Sequence, residues 1–73
     1  MEKLLGILKG LHSDVDYENE TLLVDNGVLD SFDIISLVTE LNDTYGINIS
    51  VVDLVPENFN SMQAIAALID RLS

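Results

Sequence analysis

The sequence predicts an all-α fold, a four-helix bundle with three longer helices and one short third helix. Apolar residues recur at helical spacing in three separate segments. The chain has 73 residues, which suffices for one hydrophobic core but not for a second domain. It contains no cysteine, so neither disulfides nor thiolate metal sites can add to that core. We therefore expect residues 1–73 to form a single domain that packing alone stabilises.

The first helix is predicted over residues 2 to about 12, and a long ordered loop is predicted over residues 13–30. The apolar face of this segment comprises Leu4, Ile7, Leu8, Leu11 and Val15. Gly6 and Gly10 each weaken the helix by about 1 kcal/mol relative to alanine, so packing must hold it. Long loops are uncommon in small domains and are often functional, which directs attention to the residues where this loop ends.

The second helix is predicted to begin at Ser31 and to end before Gly46. Asp30 is a good N-cap, and Asp33 stands at the third helical position, from which a carboxylate can reach back to the cap in a capping box. Gly46 supplies the left-handed residue that commonly ends a helix. The apolar stripe of this segment comprises Ile34, Leu37, Val38, Leu41 and Tyr45.

The segment after the second helix is predicted to be a loop with one short helical turn. Ile47 and Ile49 are expected to fill the core, and the short third helix is predicted at residues 51–54. The alternative is a strand over residues 47–51 that pairs with residues 22–24, because the apolar residues of this segment also alternate.

The last helix is predicted to start after Ser61, whose hydroxyl suits an N-cap. Its buried stripe comprises Met62, Ile65, Leu68, Ile69 and Leu72. No internal repeat or flexible linker interrupts the sequence, so we expect the helices to pack directly against one another.

The charge of the chain limits its partners. Thirteen acidic residues against three basic ones give a formal charge of −10, which opposes binding to nucleic acid or an anionic membrane surface and favours a basic partner. Acidity that only confers solubility is the alternative. The apolar run near the N-terminus is too short for a secretory segment, and no stretch approaches the length of a membrane span. We expect a cytoplasmic monomer with no membrane insertion.

Ser31 is the candidate functional residue. As the first helical residue it is not needed for the cap, and its hydroxyl points outward beside N–H groups that lack intrahelical partners. A serine that only caps or solvates the helix start explains the same local pattern. A catalytic serine would need a base, and the only histidine, His12, ends the first helix without an orienting motif. We expect His12 to be a surface residue and the chain not to be an enzyme.

The loop before Ser31 has part of the spacing of a calcium-binding loop. Acidic residues alternate from Asp14 to Glu20, and Asp25 takes the twelfth place. Asn19 stands where such loops have glycine, and the glutamate that binds calcium through both oxygens is missing. We therefore expect a solvated acidic loop with no bound metal.

The residues Leu29, Asp30, Ser31 and Phe32 at a helix start, preceded by a long loop and followed by an acidic helix, resemble the acyl carrier protein family over nearly the whole chain. In that family an Asp-Ser pair followed by leucine or a similar apolar residue marks the serine that receives 4'-phosphopantetheine from coenzyme A. The resemblance assigns this motif to Asp30, Ser31 and Phe32. It implies that Ser31 carries the covalent phosphopantetheine arm, that cargo is bound to the arm as a thioester, and that the fold is that of an acyl carrier protein.

The resemblance also implies which partners the protein has. The helix after Ser31 would dock on Arg/Lys patches of a phosphopantetheinyl transferase (holo-synthase) and of acyl- or aminoacyl-loading and cargo-processing enzymes. Phe32 and Ile35 lie off the core stripe and suggest an apolar contact patch, although Phe32 folded back onto the loop is the alternative. The implied partner-binding residues are Asp33, Ile35, Ser36, Thr39, Glu40 and Asp43.

The cargo is open at this point. Residues 27–31, 46–49 and 56–61 are also similar to the D-alanyl carrier branch and to other carriers that adenylating enzymes serve. The resemblance therefore implies a stand-alone carrier in a fatty-acid, polyketide or aminoacyl pathway. The alternative is a small acidic interaction module that is never modified.

Overall fold

Four α-helices and one 3-10 turn form the regular structure of the computed structural model, which describes residues 2–73. The elements are α1 (Glu2–Leu11), α2 (Ser31–Tyr45), the 3-10 turn (Val51–Asp53), α3 (Pro56–Phe59) and α4 (Met62–Leu72). Helix α1 packs against α2 and α4, and α3 packs against α4. The predicted all-α bundle is confirmed. The described residues contain no strand, so the alternative pairing of residues 22–24 with residues 47–51 is wrong.

The core lies between the apolar faces of the helices and is completed by loop residues. Ile47 and Ile49 are buried, as predicted, in the connection that follows α2. Tyr17 is also buried, which the helical periodicity did not indicate, and its hydroxyl lies 2.8 Å from both Leu8 O and His12 O. Leu23 and Leu29 enter the core from the loop between α1 and α2. The buried residues of the helices are Leu4, Leu8, Leu37, Leu41, Phe59, Met62, Ile65, Leu68 and Ile69.

Asn60 fixes the long loop between α1 and α2 by hydrogen bonds. Its backbone carbonyl accepts a bond from Leu23 N at 2.8 Å. Its side-chain oxygen accepts bonds from Val24 N at 3.0 Å and from Asp25 N at 3.1 Å. Without Asn60 these three N–H groups would depend on water for a hydrogen bond. A single residue between α3 and α4, Asn60, therefore satisfies the backbone of the loop that leads to α2.

The short helical turn predicted at residues 51–54 is present as the 3-10 turn Val51–Asp53. A further one-turn helix that the sequence did not predict, α3, begins at Pro56. Asp53 Oδ2 accepts bonds from the backbone N–H and the hydroxyl of Ser50, both at 3.1 Å, which closes the first turn on itself. Proline is favoured at the first position of a helix, where its missing N–H costs nothing, so Pro56 starts α3 as well as limiting the turn before it.

Two glycines are expected to respond oppositely to alanine. Gly6 lies inside α1, and a Cβ there would meet no atom within 4 Å, so Gly6→Ala should stabilise the fold by about 1 kcal/mol. Gly46 ends α2 with a φ of 64°, so Gly46→Ala should destabilise it by about 1 kcal/mol. Urea unfolding followed by circular dichroism measures both changes. Shifts of the two variants in the same direction would contradict these assignments.

Candidate functional site

Ser31 is the first residue of α2, and its side chain is exposed. The predicted capping box surrounds it: Asp33 N donates to Asp30 Oδ1 at 2.9 Å, and Asp30 N donates to Asp33 Oδ2 at 3.2 Å. Because these two aspartates satisfy the cap, the Ser31 hydroxyl is left for other chemistry. The alternative that Ser31 itself caps the helix is therefore wrong.

Buried residues on both sides fix the position of Ser31. Leu29 is buried two residues before it, and Leu29 N donates to Leu23 O at 2.9 Å. Gly27, with a φ of 75°, turns the chain in a conformation that favours glycine. Leu37 is fully buried in α2 and anchors the helix against the core. The serine is thus held at the surface by a loop and a helix that are each attached to the interior.

An open apolar groove of about 530 Å³ begins at Ser31. Phe32 is 81% exposed and Ile35 is 63% exposed, so the alternative in which Phe32 folds back onto the loop is wrong. Val51, Val52 and Leu54 add exposed apolar surface on the connection between α2 and α3. Of these three residues only Leu54 lines the groove, and the sequence analysis did not assign it to the site. The groove is lined by Val24, Gly27, Leu29, Asp30, Ser31, Ile34, Ile35 and Leu54.

The residues present at this site fit a phosphopantetheine arm attached to Ser31. The hydroxyl is exposed, an open groove lies beside it, and the N-terminus of α2 favours a phosphodiester by roughly 0.3–1 kcal/mol. Asp30 and Asp33 oppose that anion. The structure reduces the opposition, because Asp33 Oδ2 is paired with the imidazole of His12 at 2.8 Å.

The predicted partner-binding residues differ in how accessible they are. Asp33 is only 21% exposed at its side chain and is engaged by Asp30 and His12. The remaining ones are exposed on α2, namely Ile35, Ser36, Thr39, Glu40 and Asp43. The Thr39 hydroxyl donates to Ile35 O at 3.0 Å, so it is partly occupied within the helix. Glu40 and Asp43 are therefore the two exposed carboxylates among the predicted partner-binding residues.

The sequence led us to expect that His12 only closes α1 at the surface. The structure gives it an additional contact. Its Nε2 lies 2.8 Å from Asp33 Oδ2, which joins the end of α1 to the first turn of α2. The hydrogen bond to Asp33 raises the pKa of His12 above its ordinary value, and the nearby Asp14 and Asp30 carboxylates act in the same direction. The same bond lowers the pKa of Asp33, assisted by the backbone N–H of Asp30.

The paired shifts predict a defined pH dependence of stability. Because the folded-state pKa of His12 is raised, the contribution of His12 to the free energy of unfolding is complete below its ordinary pKa of 6.5. That contribution is lost as the pH rises through the folded-state pKa. Because the folded-state pKa of Asp33 is lowered, its contribution is complete above the ordinary value of 3.8 and is lost as the pH falls through the folded value. The contribution of the pair is therefore largest between these two pH values.

Urea unfolding of the wild type and His12→Gln across the pH range measures this contribution as the difference between the two proteins. We expect that difference to be greatest between pH 3.8 and pH 6.5 and to shrink on both sides. A difference that stays constant with pH would contradict the assignment.

The described residues offer few other chemical sites. Within residues 2–73, no three His, Asp or Glu side chains come together as metal ligands, so the acidic residues of the loop do not converge. None of the helices in that part of the chain is long and apolar enough to cross a membrane.

Comparison with known proteins identifies one match. A family model described as phosphopantetheine attachment site matches residues 2–69, which is most of the chain. No curated protein and no solved structure matches. The matched residues include the end of the long loop, the capping box and all of α2.

Proposed function

Because the chain belongs to the phosphopantetheine attachment site family and is a phosphopantetheine-carrying carrier protein, we propose that Ser31 is the attachment residue and that the arm presents a small acyl or aminoacyl cargo to partner enzymes. The observation that carries the proposal is the exposed Ser31 hydroxyl, which the capping box leaves unused at the mouth of an apolar groove. The arm supplies a thiol that bears the cargo as a thioester. The domain would itself catalyse nothing and would raise the effective concentration of the cargo at each docked enzyme.

Attachment requires a transferase and coenzyme A. The Ser31 oxygen forms a bond to the phosphorus of phosphopantetheine as the bond from that phosphorus to the adenosine bisphosphate part of coenzyme A breaks. The hydroxyl proton passes to a base of the transferase, and adenosine bisphosphate leaves. His12 Nε2 is already bonded to Asp33, which argues against His12 as that base.

Docking would combine charge and apolar contact. Glu40 and Asp43 present exposed carboxylates to Arg/Lys patches of the transferase and of the cargo enzymes, which favours fast and salt-sensitive association. Phe32 and Ile35 present apolar side chains beside Ser31, where a docked enzyme must approach the arm. Exposed apolar surface of this kind is typical of an interaction site.

The space between α2 and α3 supports a small cargo. A cleft of about 100 Å³ lies there, lined by Val24, Ile34, Leu54, Val55, Pro56 and Phe59. The cleft is small beside a long acyl chain, so burying such a chain there would require the cleft to widen. A small acyl or aminoacyl group, D-alanine for example, would need no such space. The fatty-acyl and polyketide chains that the resemblance allows are the alternative cargo, which the open groove at Ser31 could hold along its apolar lining.

Incubation with coenzyme A, magnesium and a broad-specificity phosphopantetheinyl transferase tests the attachment. We expect the intact mass to increase by one phosphopantetheine and fragmentation to place it on Ser31. A folded protein that gains no mass, while a control carrier in a parallel reaction does, would favour the unmodified acidic interaction module.

Loading with cargo of two lengths tests the cargo proposal. The same transferase reaction with acetyl-coenzyme A and with a long-chain acyl-coenzyme A gives two loaded forms. We expect neither form to shift the backbone amide resonances of Val55 and Phe59 in the cleft, or of Gly27 and Ile35 in the groove, relative to the unloaded arm. Shifts in the long-chain form alone would show that the cleft or the groove holds the chain, and would contradict the proposal of a small cargo.

A further inference from the structure

His12 is a junction between α1, the long loop and α2. Its backbone N–H donates to Leu8 O at 3.0 Å, which extends the hydrogen bonding of α1 by one residue. Its backbone carbonyl accepts a bond from the buried Tyr17 hydroxyl at 2.8 Å. Its side chain bonds to Asp33 Oδ2 at 2.8 Å. The backbone of His12 is therefore fixed by the core, and its imidazole reaches from that fixed point to the first turn of α2.

Asp33 transmits this attachment to the residues around Ser31. The same oxygen that meets the imidazole, Oδ2, also accepts the bond from Asp30 N at 3.2 Å. Asp33 N in turn donates to Asp30 Oδ1 at 2.9 Å. Ser31 lies between these two capping residues. A continuous series of bonds therefore runs from Tyr17 through His12 and Asp33 to Asp30, immediately before the serine.

The charges around the imidazole favour this arrangement. Asp33 of α2, Asp30 of the cap and Asp14 of the loop all place negative charge near it. An imidazolium forms a stronger hydrogen bond to a carboxylate than a neutral ring does, and both side chains are partly shielded from solvent, with 38% of His12 and 21% of Asp33 exposed. The bond links positions 21 residues apart in the sequence, so it cannot arise from local helix formation.

We infer that His12 is a positioning residue for Ser31. The imidazole of His12 holds the Asp33 carboxylate in the capping box and thereby keeps the first turn of α2 ordered for the transferase. This role rests on the proposed function, in which Ser31 is the residue modified. When the first turn is ordered for only a fraction of the time, the apparent affinity of an enzyme that binds the ordered form falls to that fraction of its intrinsic value. Loss of the bond should therefore raise the KM of the transferase for this protein and leave kcat nearly unchanged, because the docked first turn is ordered in every variant.

Transferase kinetics on three variants test the role. We expect His12→Ala to raise KM about five-fold and to change kcat by less than about two-fold. His12→Gln keeps a side-chain N–H that can reach Asp33, so it should restore KM to within about two-fold of the wild type. Lys9→Ala removes an exposed side chain elsewhere on α1 and should leave KM unchanged. A wild-type KM in His12→Ala, or equal losses in the alanine and glutamine variants, would overturn the inference.

A double-mutant cycle separates positioning from a general loss of stability. If His12 acts through Asp33, His12→Ala should raise KM by a clearly larger factor in the wild type than in Asp33→Asn, which has already lost the charge-assisted bond. Independent effects of the two substitutions would overturn the inference. The ratio of the wild-type KM to the His12→Gln KM should also increase as the pH rises through the imidazole titration, because the charge-assisted bond is lost only in the wild type. A ratio that does not depend on pH would count against a positioning role for the imidazolium.

Failure of this inference is distinguishable from failure of the proposed function. If all variants are modified on Ser31 with equal KM, only the positioning role is wrong. If the folded wild type is not modified at all, both are wrong. The His12 imidazole titration, followed by nuclear magnetic resonance, shows whether the bond forms in solution: its pKa should decrease in Asp33→Asn. An unchanged pKa would overturn the inference without reference to any transferase.

Discussion

Replacement of Ser31 by alanine is expected to abolish phosphopantetheine attachment and to leave the fold intact. The hydroxyl is the proposed nucleophile, so its removal leaves no atom at this position that can form the phosphodiester. The fold should tolerate the change because the side chain is exposed and the cap bonds belong to Asp30 and Asp33. Alanine also suits a helical position, so we expect the free energy of unfolding to change by less than about 0.5 kcal/mol.

Ser13→Ala is the matched control for this variant. Ser13 is exposed in the loop between α1 and α2 and loses the same hydroxyl. Intact mass after the transferase reaction should show full modification of Ser13→Ala and none of Ser31→Ala, and both should have wild-type circular dichroism spectra. A modified Ser31→Ala protein would show that another residue carries the arm. An unfolded Ser31→Ala protein would mean that the serine has a structural role that the capping geometry does not indicate.

The three longer helices were predictable because each is encoded locally. Asp30 and Asp33 mark the start of α2 and Gly46 its end by side-chain and backbone chemistry that acts within one turn. The apolar stripes then identify the face that each helix buries. The same local signals placed Ser31 at the first helical position, whereas its role as the attachment residue was implied by the resemblance to acyl carrier proteins.

The contacts that sequence reasoning missed join residues that lie far apart in the chain or outside regular periodicity. His12 meets Asp33 across the loop between α1 and α2, and Asn60 bonds to backbone groups of that loop more than thirty residues earlier. Tyr17 lies in the loop, where no helical spacing marks it as buried. Such bonds depend on how the helices pack, so composition and periodicity cannot indicate them. The start of α3 was missed for a local reason, because proline both ends and begins helices.

Replacement of Phe59 by alanine is expected to have the largest effect on stability. Phe59 is only 1% exposed and is the buried residue of the one-turn α3. Deletion of a buried aromatic ring costs about 3–5 kcal/mol, because the lost burial is added to the cost of the cavity that remains. A natural domain is stable by only about 5–15 kcal/mol, and a small domain is expected near the lower end, so Phe59→Ala should lose a large part of its stability.

Phe32→Ala deletes the same ring at an exposed position and provides the control. Phe32 is 81% exposed, so its truncation should change the free energy of unfolding by less than about 0.5 kcal/mol. Urea unfolding followed by circular dichroism compares the two variants directly. Similar losses in both would contradict the distinction between the core ring and the surface ring. In the transferase reaction Phe32→Ala should have a raised KM, because the variant stays folded but has lost an apolar side chain that contributes to docking.

The effect of Phe59→Ala should extend beyond α3 to the approach to Ser31. Asn60 follows Phe59 directly and supplies the acceptors for Leu23 N, Val24 N and Asp25 N. When α3 loses its buried anchor, these acceptors are no longer held in place, so the loop should open before the whole domain unfolds. Amide hydrogen exchange in the absence of denaturant measures this directly: the three loop amides should lose protection in Phe59→Ala by a larger factor than the amides of Leu37 and Leu41 in α2. Equal losses at the loop and at α2 would mean that α3 and the core unfold as one unit, and that the order of the loop does not depend on α3 separately.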